Sequence, residues 1–219
     1  MKKVFVAPSI LSADFKNLEK EISSLKEEGA SYLHFDVMDG HFVNNISFGP
    51  YVLKCIKNVT SLIIDVHLMI SDPKKYYLEF IKNGANIVTF HYEAMKKEEI
   101  LPLIELIHKE GAKVGLSIKP NTAPKEIEDF LPYLDLVLVM SVEPGFGGQE
   151  FMTNSLNKIK FFDKIRAENS YHFLIEVDGG INDITSRKCI EKGADILVSG
   201  SYIFKAESRM KAISLLKGE

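Results

Sequence analysis

Short apolar runs alternate with amphipathic stretches along the whole 219-residue chain. Apolar runs of about four to eight residues bounded by turn residues are typical of buried strands, and apolar positions that recur every three to four residues are typical of helices. The runs predict eight strands, over residues 4–8, 32–37, 62–68, 86–91, 113–118, 134–140, 172–177 and 195–199. The stretches between and after them predict eight helices, over residues 18–28, 51–57, 74–83, 97–110, 124–131, 155–168, 184–192 and 208–216.

Strict alternation of strands and helices predicts an α/β fold with a parallel sheet. The nearly continuous apolar run at 134–140 indicates a strand covered on both faces. Four predicted helices end at a glycine that is followed by alanine and the next strand, and a glycine there can adopt the left-handed conformation that ends many helices. These glycines are Gly29, Gly84, Gly111 and Gly193. Similar stops in successive units favour a single (β/α)8 TIM barrel over residues 1–219, rather than an open doubly wound sheet.

Charge and cysteine content narrow the class of protein. The net charge is −3 and the basic residues are scattered, which argues against a nucleic-acid partner and favours a small soluble substrate. Cys55 and Cys189 form no C-x-x-C pair and suit a reducing cytosol. We find no signal-peptide pattern and no apolar run long enough to span a bilayer, so we expect a cytoplasmic protein without a membrane partner.

Polar residues interrupt three of the predicted strands near their carboxyl ends. His34 and Asp36 lie two residues apart, so their side chains share one face of a strand. His67 and Asp178 lie at the ends of two further strands. Each residue alone is more typical of a hydrogen-bonded cap, but the carboxyl ends of barrel strands converge in space. The four together predict a metal site, because histidine and carboxylate ligands satisfy one another around a divalent ion.

Glycines cluster after the last three predicted strands. Residues 143–150 contain three glycines in four positions, which leaves backbone N–H groups free to converge on an anion. The segment has no Walker or dinucleotide-binding spacing. Two further clusters, at 179–180 and 200–201, lie where barrels commonly bind phosphate. We therefore expect a phosphorylated small molecule whose other end reaches the metal. Asp39, Lys119 and Glu143 also follow strands, and we expect them to be solvated loop charges.

Five segments in chain order closely resemble the ribulose-phosphate 3-epimerase family. They are residues 7–15, 34–43, 65–69, 140–149 and 176–181. The resemblance extends over essentially the whole chain. It implies interconversion of D-ribulose 5-phosphate and D-xylulose 5-phosphate at C3, a step of the pentose phosphate pathway, through a metal-stabilised enediolate. It also implies a homo-oligomer.

The resemblance also implies roles for individual residues. His34, Asp36, His67 and Asp178 would bind one divalent metal ion, with Asp36 and Asp178 also serving as the acid/base pair. Residues that would contact the sugar are Ser9, His67, Met38, Met69 and Met140. For the three methionines, ordinary core packing is an equally good interpretation. Residues that would hold the phosphate are Gly145, Phe146, Gly147, Gly148, Gly179, Gly180, Gly200 and Ser201.

Several questions stay open at the level of sequence. The ligand types suit Zn²⁺, Fe²⁺, Mn²⁺ or Co²⁺ without choosing among them. Asn44, Tyr202 and the segment 118–122 depart from the family pattern, so an allulose-6-phosphate 3-epimerase is an alternative. Two rival classes are a metal-dependent hydrolase, in which bound water is the nucleophile, and a non-catalytic sugar-phosphate binding protein. The hydrolase is disfavoured because this chain has His-x-Asp where such barrels often have His-x-His.

Overall fold

A computed structural model describes residues 3–219. Within this range, one sheet of eight parallel strands is formed by β1 (Phe5–Pro8), β2 (Tyr32–Met38), β3 (Ile63–Met69), β4 (Ile87–His91), β5 (Lys113–Ile118), β6 (Leu136–Met140), β7 (Leu174–Asp178) and β8 (Ile196–Ser199). From β2 to β8 each strand pairs with the next one in sequence, and β8 pairs with β1. A parallel bridge between Ser9 and His34 joins the two remaining edges. The predicted (β/α)8 TIM barrel is thereby confirmed.

The helices surround this sheet. They are α1 (Leu18–Ser23), α2 (Pro50–Ile56), α3 (Pro73–Lys82), α4 (Lys97–Lys109), α5 (Ser155–Asn169), α6 (Asp183–Lys192), α7 (Ser201–Phe204) and α8 (Arg209–Lys217). Gly29, Gly84, Gly111 and Gly193 all have positive φ, between 81° and 117°. Gly84, Gly111 and Gly193 lie at the ends of α3, α4 and α6, as predicted, whereas Gly29 ends a series of turns that follows α1. In the described part of the chain, no helix is long and apolar enough to cross a membrane.

The predictions for two helices were wrong, one in the type of helix and the other in its length. The segment predicted as a helix at 124–131 is a 3₁₀ helix, Pro124–Tyr133. Pro132 lies inside it and has no backbone N–H to donate to an α-helical bond. The helix predicted at 18–28 ends at Ser23, whose hydroxyl donates to the Lys20 carbonyl oxygen at 3.3 Å. Such a local bond competes with continuation of the helix, and turns carry the chain onward to Gly29.

The interior of the barrel is divided into an apolar and a polar side. The apolar side is formed mainly by β6, β8 and β1, and its buried residues include Ala7, Leu136, Leu138, Met140, Ile196 and Val198. The polar side is formed mainly by β2, β3 and β4, and its buried residues include His34, Asp36, Asp65, His67, Thr89 and His91. Glu176 of β7 is also buried and lies 3.7 Å from His34. Buried polar groups are stable only when partners satisfy them. The polar side is therefore the part of the core whose sequence needs an explanation other than packing.

Candidate active site

The carboxyl ends of β2, β3 and β7 bring the four predicted metal ligands together. His34 Nε2, Asp36 Oδ1 and His67 Nδ1 lie 3.3 Å from one another. Asp178 Oδ2 lies 3.9 Å from each of the two histidine nitrogens. Asp36 and His67 are paired residues on neighbouring strands, and alternation along β2 turns His34 to the same face as Asp36. One atom from each side chain therefore points to a common centre.

The spacing of these atoms fits a divalent ion. Ligands bound tetrahedrally at roughly 2.0–2.1 Å are separated by about 3.4 Å, close to the separations of 3.3 and 3.9 Å in the cluster. Two histidine nitrogens and two carboxylate oxygens form a donor set suited to a first-row transition metal. Both histidines are fully buried, so the cluster is shielded from bulk water. These residues could hold a metal ion.

Burial and mutual attraction shift the pKa of these groups in different directions. Burial works against the charged form of His34, but the surrounding carboxyl groups, led by Asp36 and Asp65, together outweigh it and raise the pKa of His34 well above its ordinary value. Burial also opposes the ionised form of Asp36, and His34 and His67 together lower the pKa of Asp36 below its ordinary value. For Asp178, burial and the nearby Asp36 charge raise the pKa to about 6. The two carboxyl groups are therefore in unequal environments.

A second group of polar residues surrounds Nδ1 of His34, the nitrogen that points away from the common centre. His34 Nδ1 lies 2.9 Å from Asp65 Oδ2, and Thr89 Oγ1 donates to Asp65 Oδ1 at 2.9 Å. Glu176 Oε1 lies 3.7 Å from His34 Nδ1, and neither Glu176 oxygen has a hydrogen-bond partner among the described residues. Burial, reinforced by the Asp65 charge, raises the pKa of Glu176 well above its ordinary value.

A third group lies beside His67. His67 Nε2 is 2.8 Å from His91 Nε2, and His91 Nδ1 is 3.2 Å from Glu93 Oε2. Burial lowers the pKa of His91 to about 4. Burial alone would raise the pKa of Glu93, but its hydrogen bond with His91 leads a set of interactions that lower it to about 2. His91 is therefore neutral and Glu93 is ionised near neutral pH.

Sequence reasoning missed both supporting groups. Asp65 and Glu176 each lie two residues before a predicted ligand on the same strand, so the alternation that paired His34 with Asp36 also places them on the interior face. His91 ends a predicted strand and could have been found by the same rule. Glu93 carries no such signal, because it follows the strand.

A cavity of about 630 Å³ opens above the centre. Ser9 lies in its wall and donates its hydroxyl hydrogen to Asp36 Oδ2 at 2.5 Å. The predicted sugar contacts that line this cavity are Ser9, Met38, Met69 and Met140, and His67 lies buried beneath them. The three methionines are almost fully buried. Asp178 is more open toward the cavity, with 19% of its side chain exposed against 4% for Asp36.

The other end of the cavity is formed by the glycine clusters. All eight predicted phosphate-binding residues line it, namely Gly145, Phe146, Gly147, Gly148, Gly179, Gly180, Gly200 and Ser201. Some of these glycines are required by the fold itself. A Cβ at Gly180 would lie 2.6 Å from the Phe151 backbone nitrogen, and one at Gly200 would lie 2.5 Å from Ser12 Oγ. Sequence reasoning missed Lys188 and Lys205, which line the same cavity.

Two of the three loop charges expected to be solvated have specific contacts. Asp39 accepts hydrogen bonds from the Ser71 backbone and hydroxyl, at 2.8 and 2.7 Å. Burial opposes its ionised form, yet these bonds and others from the backbone lower the pKa of Asp39 to about 2. Lys119 places Nζ 3.9 Å from the centroid of the Phe42 ring. Glu143 is exposed, as expected.

Fold and site together define a (β/α)8 barrel enzyme with a buried histidine–carboxylate centre beneath a glycine-lined cavity. The model of the ribulose-phosphate 3 epimerase family matches residues 5–204. The chain therefore belongs to the ribulose-phosphate 3-epimerase family and is an epimerase, which confirms the resemblance seen in the sequence.

Individual relatives agree over nearly the full length. The chain is 46% identical to the ribulose-phosphate 3-epimerase of Bacillus subtilis over 214 residues, which span 97% of this chain and 98% of that one. It is 44% identical to the ribulose-phosphate 3-epimerase of Treponema pallidum, with 93% of each chain covered. The tryptophan synthase α-subunit of Pyrococcus furiosus superposes with a TM-score of 0.71 at 14% identity, covering 99% of this chain and 98% of that one, and shares the fold.

Proposed function

We propose that this enzyme interconverts D-ribulose 5-phosphate and D-xylulose 5-phosphate at C3 and that it requires a divalent metal ion. The observation that carries the proposal is the convergence of four ligand atoms, from His34, Asp36, His67 and Asp178, beneath the cavity. The names of the B. subtilis and T. pallidum relatives supply the substrate class. Family membership disfavours both the hydrolase and the non-catalytic binding protein.

The chemical obstacle is removal of a weakly acidic proton next to a ketone. A divalent ion bound at the four ligands would act as a Lewis acid and lower the energy of the developing negative charge by several kcal/mol. Asp36 and Asp178 lie on β2 and β7, which are separated around the barrel by β1 and β8. They can therefore approach the reacting carbon from different sides. Each carboxylate acting as a general acid or base contributes roughly 10²- to 10⁴-fold.

Each aspartate has a second oxygen that is free of the common centre. Asp36 Oδ2 accepts the hydrogen bond of Ser9 at 2.5 Å, which orients the carboxylate. Asp178 has the more exposed side chain of the two, so it is the more accessible to a substrate in the cavity. We propose that one aspartate removes the C3 proton and the other returns a proton to the opposite face.

The phosphate of the substrate would lie against the glycine clusters. Backbone N–H groups in such loops point at an anion without obstruction by side chains. Binding energy from this remote group can be used to orient the reacting carbon, so its loss lowers kcat as well as raising KM. Gly147 is the most useful position for a test, because the nearest contact of an added Cβ there is Ser12 Oγ at 3.8 Å. Gly147→Ala should therefore fold normally, and any defect in use of the phosphorylated substrate reports on binding.

The experiment is a substrate panel on metal-loaded and chelator-treated protein. We expect rapid epimerisation of ribulose 5-phosphate by the loaded protein only, with slow turnover of unphosphorylated ribulose and of allulose 6-phosphate. Equal rates with and without metal would contradict the metal requirement. Faster turnover of allulose 6-phosphate would replace the proposed substrate with the alternative. The cytoplasmic location, the homo-oligomer and the absence of a nucleic-acid partner remain predictions from the sequence.

A further inference from the structure

We propose that His91 and Glu93 are positioning residues that hold His67 in the tautomer able to bind a divalent cation. We call His67, His91 and Glu93 the histidine relay. The proposal rests on the metal centre proposed above. Its new content is that residues on β4 and in the following turn, outside the substrate cavity, act on the metal through His67.

Contacts between the three side chains form a continuous path. His67 Nε2 lies 2.8 Å from His91 Nε2, and His91 Nδ1 lies 3.2 Å from Glu93 Oε2. His67 and His91 are fully buried, and their rings are stacked with centroids 5.0 Å apart. The Phe42 ring also packs against the His91 ring, with centroids 4.8 Å apart. Within the relay, His67 Nε2, His91 Nε2 and His91 Nδ1 each face one polar neighbour.

The order of hydrogens along this path follows from its two ends. Ionised Glu93 can only accept, so His91 must carry its hydrogen on Nδ1. Only one hydrogen fits in the 2.8 Å between His67 Nε2 and His91 Nε2, and His67 must hold it if its own Nδ1 is to keep the lone pair that a cation needs. That assignment leaves His67 Nδ1 with a free lone pair, and Nδ1 is the atom that faces the common centre. The relay therefore selects one of the two neutral tautomers of His67.

Glu93 is itself fixed by the loop after β5. Its Oε1 accepts from the Lys119 backbone N–H at 2.7 Å and from the hydroxyl of Thr122. The loop is held in turn by Lys158, a buried residue of α5 whose Nζ donates to the Lys119 and Thr122 carbonyl oxygens at 2.8 and 2.6 Å. Because these donors occupy Oε1, the oxygen left for His91 is Oε2. The direction of the relay is thus determined by the fold outside the cavity.

A purely structural role for His91 makes different predictions. If His91 only fills space, a side chain of similar volume should leave metal affinity unchanged. If it positions His67, the hydrogen-bond acceptor must be retained. Glu93→Gln provides a second way to distinguish the two roles. The amide oxygen of the new side chain can accept from the Lys119 backbone N–H and the Thr122 hydroxyl only if its NH₂ group points toward His91. That orientation reverses the required order of hydrogens and opposes the metal-binding tautomer.

The test is zinc affinity measured by competition with a chromophoric chelator. His91→Leu and Glu93→Gln should each weaken zinc binding by about 10- to 100-fold, the range found when hydrogen-bond partners of metal-ligating histidines are removed. His91→Gln should restore most of the affinity, since its amide oxygen can accept from His67. Ser117→Ala is the matched control. Ser117 is buried on β5 opposite His91, its hydroxyl has no hydrogen-bond partner among the described residues, and its loss should leave affinity unchanged.

Histidine-selective nitrogen NMR of zinc-loaded wild-type protein gives an independent readout. We expect hydrogens on Nε2 of His67 and on Nδ1 of His91. A hydrogen on Nε2 of His91, or unchanged affinity in Glu93→Gln, would overturn the relay. If His91→Leu fails to fold, Glu93→Gln and the NMR assignment still decide the question. Wild-type protein that binds no zinc would instead overturn the proposed metal centre, so the two failures are distinguishable.

Discussion

The two histidines of the centre point to one position but are supported in different ways. His34 presents Nε2 and has its other nitrogen directly against the carboxylate of Asp65, at 2.9 Å. His67 presents Nδ1 and has its other nitrogen against the neutral ring of His91, with the carboxylate of Glu93 one step further away. His34 and Asp65 are paired residues on β2 and β3 and lie at one level of the barrel. His67 instead depends on β4 and on loops beyond it.

This difference separates two means of orienting a metal ligand. A carboxylate adjacent to a histidine fixes its tautomer and also raises its basicity. A neutral histidine between ligand and carboxylate fixes the tautomer while keeping the negative charge farther away. The His34 side should therefore contribute more electrostatic energy, and the His67 side should depend more on the arrangement of distant loops.

The largest effect is expected from removal of a ligand itself. His67→Ala should lose its metal and its turnover, with activity falling on the order of 10³-fold, because Lewis-acid stabilisation is worth several kcal/mol. The barrel should remain folded, since His67 lies on the polar side of the interior and is not part of the apolar clusters that pack the core. Metal content, circular dichroism and epimerase activity test this together. Full activity in metal-free His67→Ala would refute the role of the metal.

The next effect compares the two supports. Asp65→Asn should weaken metal binding toward the upper end of the 10- to 100-fold range, and more than Glu93→Gln does, because Asp65 contacts its ligand histidine directly. Chelator competition on both variants measures the ratio. If Glu93→Gln has the larger effect, the ranking of the two supports is reversed. Unfolding curves of both proteins control for general loss of stability.

The smallest effect is expected from a change in packing next to Thr89, whose hydroxyl donates to Asp65 beside His34. A Cβ at Gly115 would lie 2.3 Å from Thr89 Oγ1, the hydroxyl that donates to Asp65. Gly115→Ala should lower the free energy of unfolding by about 1–3 kcal/mol through overpacking. Combination with Thr89→Ala should cost less than the sum of the single changes, because the clashing hydroxyl is gone. Denaturant unfolding of the four proteins of the cycle tests this, and strictly additive effects would show that the two positions are independent.

The sequence predicted the parts of the site that depend on a local pattern within one strand or on a general rule of barrel geometry. His34 and Asp36 were predictable because a period of two along one strand determines which face they share. Convergence with His67 and Asp178 followed from the barrel, which the alternation of strands and helices indicated. The glycine clusters were also brought to one cavity, as predicted. In each case a local pattern and one rule about strand ends were sufficient.

The supports of the centre were not predicted, for physical reasons. The bond between Glu93 and the Lys119 backbone joins residues 26 apart in sequence and depends on how two loops pack. Lys158 reaches that loop from α5, across 39 residues. Such contacts leave no periodic pattern in the sequence from which they could be predicted. The 3₁₀ conformation of Pro124–Tyr133 was likewise missed, since its apolar pattern resembles that of an α-helix.

The central claim is that Asp36 and Asp178 act on opposite faces of a substrate held beside a metal ion. The most direct test is solvent deuterium exchange at C3 in Asp36→Asn and Asp178→Asn, with metal content measured in each variant. We predict that each metal-loaded variant fails to epimerise yet retains slow exchange with only one epimer, and that the preferred epimer is opposite in the two variants. A variant that keeps its metal and still epimerises at a rate near that of the wild type would contradict the assignment of two bases.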